Sequence, residues 1–156
     1  MANIKRVEVY VDDNRMPYLV AEETSYSIST EKRYTTPEDI YELTKELKIT
    51  ERVKETILMF VFDSAMHLIC MSEVSVGSID RSIMDVRGIA QTLLLSNGIG
   101  CILCHNHPSG NTTPSDIDIM STKKVVEALK LLELKLLDHV VVSRNGYTSM
   151  NEANLI

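Results

Sequence analysis

The sequence has 156 residues, 44% of them hydrophobic and 24% charged, with a formal net charge of -6. That length suits one domain burying about two thirds of its unfolded surface, and the acidic balance argues against a broad nucleic-acid-binding face or a polybasic membrane anchor. Met1 to Val20 lacks the apolar core of a signal peptide and no run reaches membrane-spanning length, so the expected compartment is the cytoplasm, with no membrane partner.

In chain order, Val7, Val9 and Val11 alternate with Arg6, Glu8 and Tyr10, the period of a strand, before a turn at Asp12-Asp13-Asn14. Tyr18 to Val20 and Tyr26 to Ile28 read as two further short strands. Residues 1–35 are expected to form an N-terminal extension packed on a main domain of residues 36–156. Thr36-Pro37 opens a helix, with a capping hydroxyl, proline in the first turn and acidic Glu38 and Asp39 at the positive helix end. Ile40, Tyr41, Leu43 and Leu47 form its apolar face, and it should stop near Lys48.

Ile57 to Phe62 is apolar at every position, which suits a central strand covered on both faces. A turn at Asp63-Ser64-Ala65 leads to a returning strand, His67 to Met71, and a separate segment follows from Glu73 to Ile79 with a turn at Gly77. Arg81 to Ser96 has helical spacing through Ile83, Val86, Ala90, Leu93 and Leu94, and Asn97-Gly98 ends it. Gly100 to Cys104 reads as a buried inner strand. Ser115 caps a last helix expected to run through Leu134, burying Met120, Val125, Ala128, Leu131 and Leu132. His139 to Ser143 and Tyr147 to Met150 then pair as a hairpin about Asn145-Gly146. The order predicts an α/β fold, a mixed central sheet flanked by helices.

Chemistry concentrates after the inner strand, in CHNHPSGNTTPSDID. Side chains two apart on an extended chain point to one side, so His105 and His107 face together, and Pro108 disfavours helical geometry at His107. Asp118 follows after ten intervening residues, at the first turn of the next helix. Two imidazoles and one carboxylate leave a coordination position open for water, the ligand pattern of catalytic Zn2+. Such a site needs a base outside the ion's shell, and Glu55 is the candidate because it enters the apolar strand that can lie beside the histidines. Glu51 and Glu73 are the weaker choices by position.

Other residues admit plainer readings. Asp118 and Ser115 both suit helix capping. Asn106 is placed to orient the histidine turn, and His139 to donate a hydrogen bond within a buried LLDH turn. Cys101 and Cys104 lie three apart on a strand and so point to opposite faces, which argues against joint metal binding. With Cys70 they make no even disulfide framework and read as buried thiols. Pro108-Ser109-Gly110 lacks the Gly-Lys-Ser/Thr of a phosphate loop and serves to turn the chain.

HNHPSGNTTPSDID resembles the H-x-H, ten-residue gap, Asp motif of the JAMM or MPN-plus metalloproteins, in particular their RadC-like JAB branch, and the likeness extends from about Glu51 through FVFDSAMHLI, EVSVGS and LLDHVVVS. The resemblance implies a JAB/MPN-like domain holding zinc through His105, His107 and Asp118. It also implies Glu55 as general base and Ser115 as donor to a tetrahedral oxyanion. Larger RadC relatives carry a helix-hairpin-helix-type region of which this sequence shows no convincing version, so DNA binding is not expected from the family resemblance alone. Where relatives commonly show Pro-Arg-Glu, this chain has Val86-Arg87-Gly88. The expected activity is zinc-dependent metallopeptidase-like hydrolysis of a peptide or isopeptide amide in an unknown substrate. The alternatives are a non-catalytic metal-containing interaction module and, more weakly, a DNA-associated protein. Oligomeric state is left open by the sequence.

Overall fold

The structure, a computed structural model, describes residues 3–77 and 84–156. Its elements run β1 (Lys5–Val11), β2 (Pro17–Glu23), α1 (Pro37–Glu46), a 3-10 turn (Ile49–Glu51), β3 (Thr56–Phe62), β4 (Leu68–Val76), α2 (Val86–Leu95), β5 (Gly100–Asn106), α3 (Asp116–Leu131), β6 (Lys135–Ser143) and β7 (Gly146–Ser149). The strands form one mixed sheet in the order β2-β1-β4-β3-β5-β6-β7. β3 runs antiparallel to β4 and β5, while β5 and β6 are parallel with α3 as their crossover.

The run from Thr56 to Phe62 is buried at every residue, as its unbroken apolar character predicts. Leu58, Phe60 and Phe62 join Ile102 and Cys104 of β5 in a core with Ile40 and Leu43 of α1 and Leu47, which caps its end. Ile57, Met59 and Val61 join Cys101 and Leu103 on the opposite face, against Ile89 and Leu93 of α2 and Val125 and Leu129 of α3. The sheet is therefore a middle layer with helices on both sides. The two-residue period that separates Cys101 from Cys104 also sends His105 to the α2/α3 side. Helix α1 starts as expected: Thr36 accepts from the Asp39 N–H, the Asp39 carboxylate accepts from the Thr36 N–H, and Pro37 takes the first turn.

Several boundaries differ from the sequence reading. Leu68–Val76 is one continuous strand rather than two segments, kept in register with β3 by irregularities at Ile57/Leu58 and Val61/Phe62. The expected extension of that segment to Ile79, and of α2 back to Arg81 and Ile83, lies outside the described residues. Tyr26 to Ile28 is not a strand; it has no ladder partner, and Ile28 is held by burial in the α1-side core. On α2 the buried positions are Ile89, Thr92 and Leu93, and Leu94 is exposed.

Helix α3 ends at Leu131, not Leu134. Glu133 takes a left-handed conformation (φ 58°), its N–H donates to Lys130 O, and the Leu134 N–H donates to Leu129 O. This Schellman closure is usually made by glycine, so its glutamate concealed the stop. Strand β6 consequently begins at Lys135, four residues before the expected start. The buried stripe of α3 is Asp118, Thr122, Val125 and Leu129, leaving Met120, Leu131 and Leu132 exposed. Ser143 pairs with Gly146, so the hairpin loop is Arg144-Asn145. Among the described residues no helix is long and apolar enough to cross a membrane.

Candidate metal centre

Strand β5 carries His105 to the end of the sheet, and the His107 N–H still donates to Val142 O at 2.9 Å, so extended pairing with β6 continues past the strand's last residue. Both imidazoles consequently project to one side, with their Nε2 atoms 2.9 Å apart. His105 is fully buried and the His107 side chain is 13% exposed. Beyond Pro108 the chain turns back, the Gly110 N–H donating to His107 O at 3.0 Å. Gly110 has φ 87°, and a Cβ there would stand 3.1 Å from Asn145 Nδ2, so both backbone and space favour glycine. The turn sets Asn111 O 2.6 Å from His107 Nδ1. A carbonyl only accepts, so Nδ1 carries the hydrogen and Nε2 keeps its lone pair for an ion.

The same turn delivers Ser115 to the start of α3. Its Oγ accepts from the Asp118 N–H at 3.1 Å, and Asp118 Oδ2 accepts from the Ser115 N–H at 2.8 Å. This capping box fixes the carboxylate, with Oδ2 at 3.6 Å from His105 Nε2 and 3.9 Å from His107 Nε2. The three ligand atoms lie within 4.8 Å of one another. Ligand bonds of about 2.0–2.1 Å in tetrahedral geometry give ligand-to-ligand separations of roughly 3.3 Å, between the observed 2.9 and 3.9 Å. Two nitrogen donors and one carboxylate oxygen thus fit a divalent ion such as zinc, with a fourth position left over. Burial alone would raise the Asp118 pKa. Hydrogen bonding and charge from His105, with the Ser115 N–H and side chain, outweigh it and hold the carboxyl well below its ordinary range.

Glu55 immediately precedes β3 and is half-buried. Ile57 pairs with His105 at the end of the β3–β5 ladder, and Glu55 lies two residues before it. With Ser115, His107, Asn111 and Asp118 it lines a cavity of about 260 Å³. A second hollow, about 550 Å³, is also lined by Glu55, together with Val53, Val76 and Pro108. The backbone leading to Glu55 is held by Asn106. Its Oδ1 accepts from the Thr56 N–H at 2.8 Å, and its Nδ2 donates to Arg52 O and Lys54 O at 3.1 and 3.2 Å. Sequence reasoning assigned Asn106 to the histidine turn; the structure turns it toward the segment that carries Glu55. Contacts across fifty residues leave no local signal.

His139 is the other residue that reading missed. It lies on β6, not in a turn, is fully buried, and places Nε2 2.7 Å from His105 Nδ1 and Nδ1 2.7 Å from Thr122 Oγ1. Burial, reinforced by His105, holds its pKa well below the usual histidine value and keeps the ring neutral. A histidine inside the apolar run of β6 was the available hint. Cys101 and Cys104 sit in opposite cores, as alternation requires, so they do not form a joint site. At the departure from Pro-Arg-Glu, Gly88 gives its N–H to the Asp85 carboxylate that caps α2, and a Cβ on residue 88 would lie 2.4 Å from Asp85 Oδ2. A side chain at 88 would have to move that carboxylate, the far end of an exposed residue.

Comparison with curated proteins gives three representative relatives. A UPF0758 protein of Methanosarcina mazei is 33% identical over 125 residues, covering 80% of this chain and 54% of that protein. One from Thermotoga maritima is 36% identical over 113 residues, 72% of this chain and 50% of its own length. One from Clostridium botulinum is 35% identical over 133 residues, 85% and 58% respectively. The chain thus spans about half the length of the curated relatives it matches. Residues 34–155 match the family described as the RadC-like JAB domain.

Proposed function

Because the chain belongs to the RadC-like JAB domain family, within the JAMM/MPN superfamily, we propose that it is a zinc-dependent metallopeptidase-like hydrolase acting on a peptide or isopeptide amide. The observation that carries this reading is the convergence of His105 Nε2, His107 Nε2 and Asp118 Oδ2 beside a cavity that Glu55 and Ser115 also line. Residues 36–156 are the metalloprotein domain in this reading, and residues 1–35 an extension whose β1–β2 hairpin joins the sheet through β1 and β4.

His105, His107 and Asp118 would hold a zinc ion, which would supply Lewis acidity toward the scissile carbonyl and toward water. Glu55, outside the ligand set, accepts the proton of the attacking water and returns it to the departing amine. Asn106 keeps Glu55 from swinging away by tying down the backbone on both sides of it. Ser115 Oγ uses a lone pair to cap α3, which leaves its hydroxyl hydrogen free to donate to the developing oxyanion. Capping and oxyanion donation are therefore compatible in one side chain.

The test is amine release from a panel of peptides and isopeptide-linked substrates by zinc-loaded protein, compared with its Glu55→Gln variant. Loss of turnover of about 100-fold or more in the variant, with zinc affinity unchanged, is expected for a general base. Equal turnover in the two would remove Glu55 from that role. Tight zinc binding with no cleavage of any substrate would favour an interaction module instead.

A further inference from the structure

Behind the proposed ligands runs a closed line of hydrogen bonds whose direction can be worked out from one end. Thr122 Oγ1 lies 2.6 Å from the Asp118 carbonyl oxygen and 2.7 Å from His139 Nδ1. His139 Nε2 lies 2.7 Å from His105 Nδ1. Thr122 and His139 are fully buried, so neither borrows a water to complete its bonding. The carbonyl oxygen only accepts. Two oxygens 2.6 Å apart with no hydrogen between them repel, so the single hydroxyl hydrogen of Thr122 points at Asp118 O. The hydrogen between Thr122 and His139 must then come from His139 Nδ1. The His139 ring is 0% exposed and its nitrogens bond only to Thr122 Oγ1 and His105 Nδ1, with no carboxylate to pair a buried charge, so it holds a single hydrogen. Its Nε2 therefore accepts, and the hydrogen in that contact belongs to His105 Nδ1. With its Nδ1 hydrogen committed to His139, His105 has Nε2, on the side of His107 and Asp118, as the nitrogen whose lone pair a metal ion would take.

We propose that Thr122 and His139 are positioning residues that select the metal-binding tautomer of His105, with the Asp118 backbone carbonyl as the fixed end of the chain. This rests on the metal-centre reading above and adds to it. Ligating histidines commonly donate their second N–H to a carboxylate, a carbonyl or water. Here the acceptor is a neutral imidazole, which would accept or donate equally well by itself. The choice is made two bonds away, by a threonine that has one hydrogen to give and a carbonyl that must receive it. The chain also fastens β5, α3 and β6 together at the site: Asp118 presents its carboxylate to the ion and its carbonyl to the device that orients His105.

Removing the hydroxyl abolishes the selection. In Thr122→Val the shape is nearly kept, but His139 Nδ1–H has no acceptor. The ring then favours the reversed tautomer, which donates from Nε2 to His105 Nδ1 and moves the His105 hydrogen onto the ligand nitrogen. Cobalt(II) titration of the full chain, followed by visible absorption, should give about 10- to 100-fold weaker binding for Thr122→Val and binding within about threefold of wild type for Thr122→Ser. A purely space-filling role predicts the reverse order, since valine preserves the volume better than serine. Wild-type affinity in Thr122→Val, or equal weakness in both variants, would overturn the proposal. Long-range proton–nitrogen correlation spectra of the metal-free wild type give a second readout independent of any ion. Hydrogens on Nδ1 of both His105 and His139 are expected, and a hydrogen on Nε2 of His139 would overturn the proposal even if the valine variant failed to fold. If wild type bound no cobalt, the metal-centre reading would fall while these spectra still decided the direction of the chain.

Discussion

Replacing Asn106 with alanine tests how the Glu55 segment is held. The side chain is 1% exposed and makes three hydrogen bonds to a segment about fifty residues earlier in the chain. Alanine strands the Thr56 N–H, whose residue is also buried, at a cost of about 1–3 kcal/mol for an unsatisfied interior donor. Arg52 and Lys54 are exposed, so their carbonyls can turn to water, and each lost bond there costs only about 0.5–1 kcal/mol. Together the loss should be about 2–5 kcal/mol in urea unfolding. Asn106→Asp should recover part of it, because the carboxylate still accepts from Thr56 but cannot donate to the two carbonyls. Amide exchange should rise selectively at residues 52–56, with zinc affinity nearly unchanged because no ligand is touched. A loss below about 0.5 kcal/mol, or exchange that stays slow at those residues, would refute the bracing argument.

Other consequences follow from burial and charge. Burial pushes the Cys70 thiol up to about 11 and Cys101 up to about 12, and Cys104 higher still. A thiol-specific chromogenic disulfide should therefore label none of the three in the native chain near pH 8 and all three after denaturation. His139 titrates in the folded protein well below its ordinary 6.5, because burial and then His105 disfavour its charged form. The unfolded chain therefore binds the extra proton first. Stability should be complete above about pH 6.5 and decline as the pH falls, with a limiting slope near 1.4 kcal/mol per unit from this one group. Urea unfolding between about pH 7.5 and pH 5 checks this, and His139→Gln should flatten the profile. Asp118, depressed below its ordinary 3.8, adds a further loss when the pH falls through and below that value.

The parts legible in the sequence are those whose physics is local. An unbroken apolar run marked β3, a threonine-proline pair with two acids marked α1, and the spacing of His105, His107 and Asp118 combined strand alternation with a helix cap. Errors arose where the signal was borrowed or remote. Helix α3 buries Asp118 and Thr122 on its inner stripe, so counting apolar residues selected Met120, Leu131 and Leu132, which face solvent. Glu133 ends that helix in a conformation glycine normally advertises, and the start of β6 was displaced with it. Asn106 and His139 escaped because their partners arrive only when β3, β5 and β6 come into register, through pairings that sequence periodicity does not encode. Both had looked like turn residues, and both instead support groups proposed to act at the metal centre.

The measurement closest to the central claim is a zinc titration of the metal-free chain by calorimetry, alongside His107→Ala and Asp118→Ala. One zinc per chain, with cobalt added to the metal-free chain giving the visible bands of a four-coordinate ion, and both weakened strongly by either substitution, is the expected result. Absence of stoichiometric binding, or binding that both variants retain at full strength, would contradict the account.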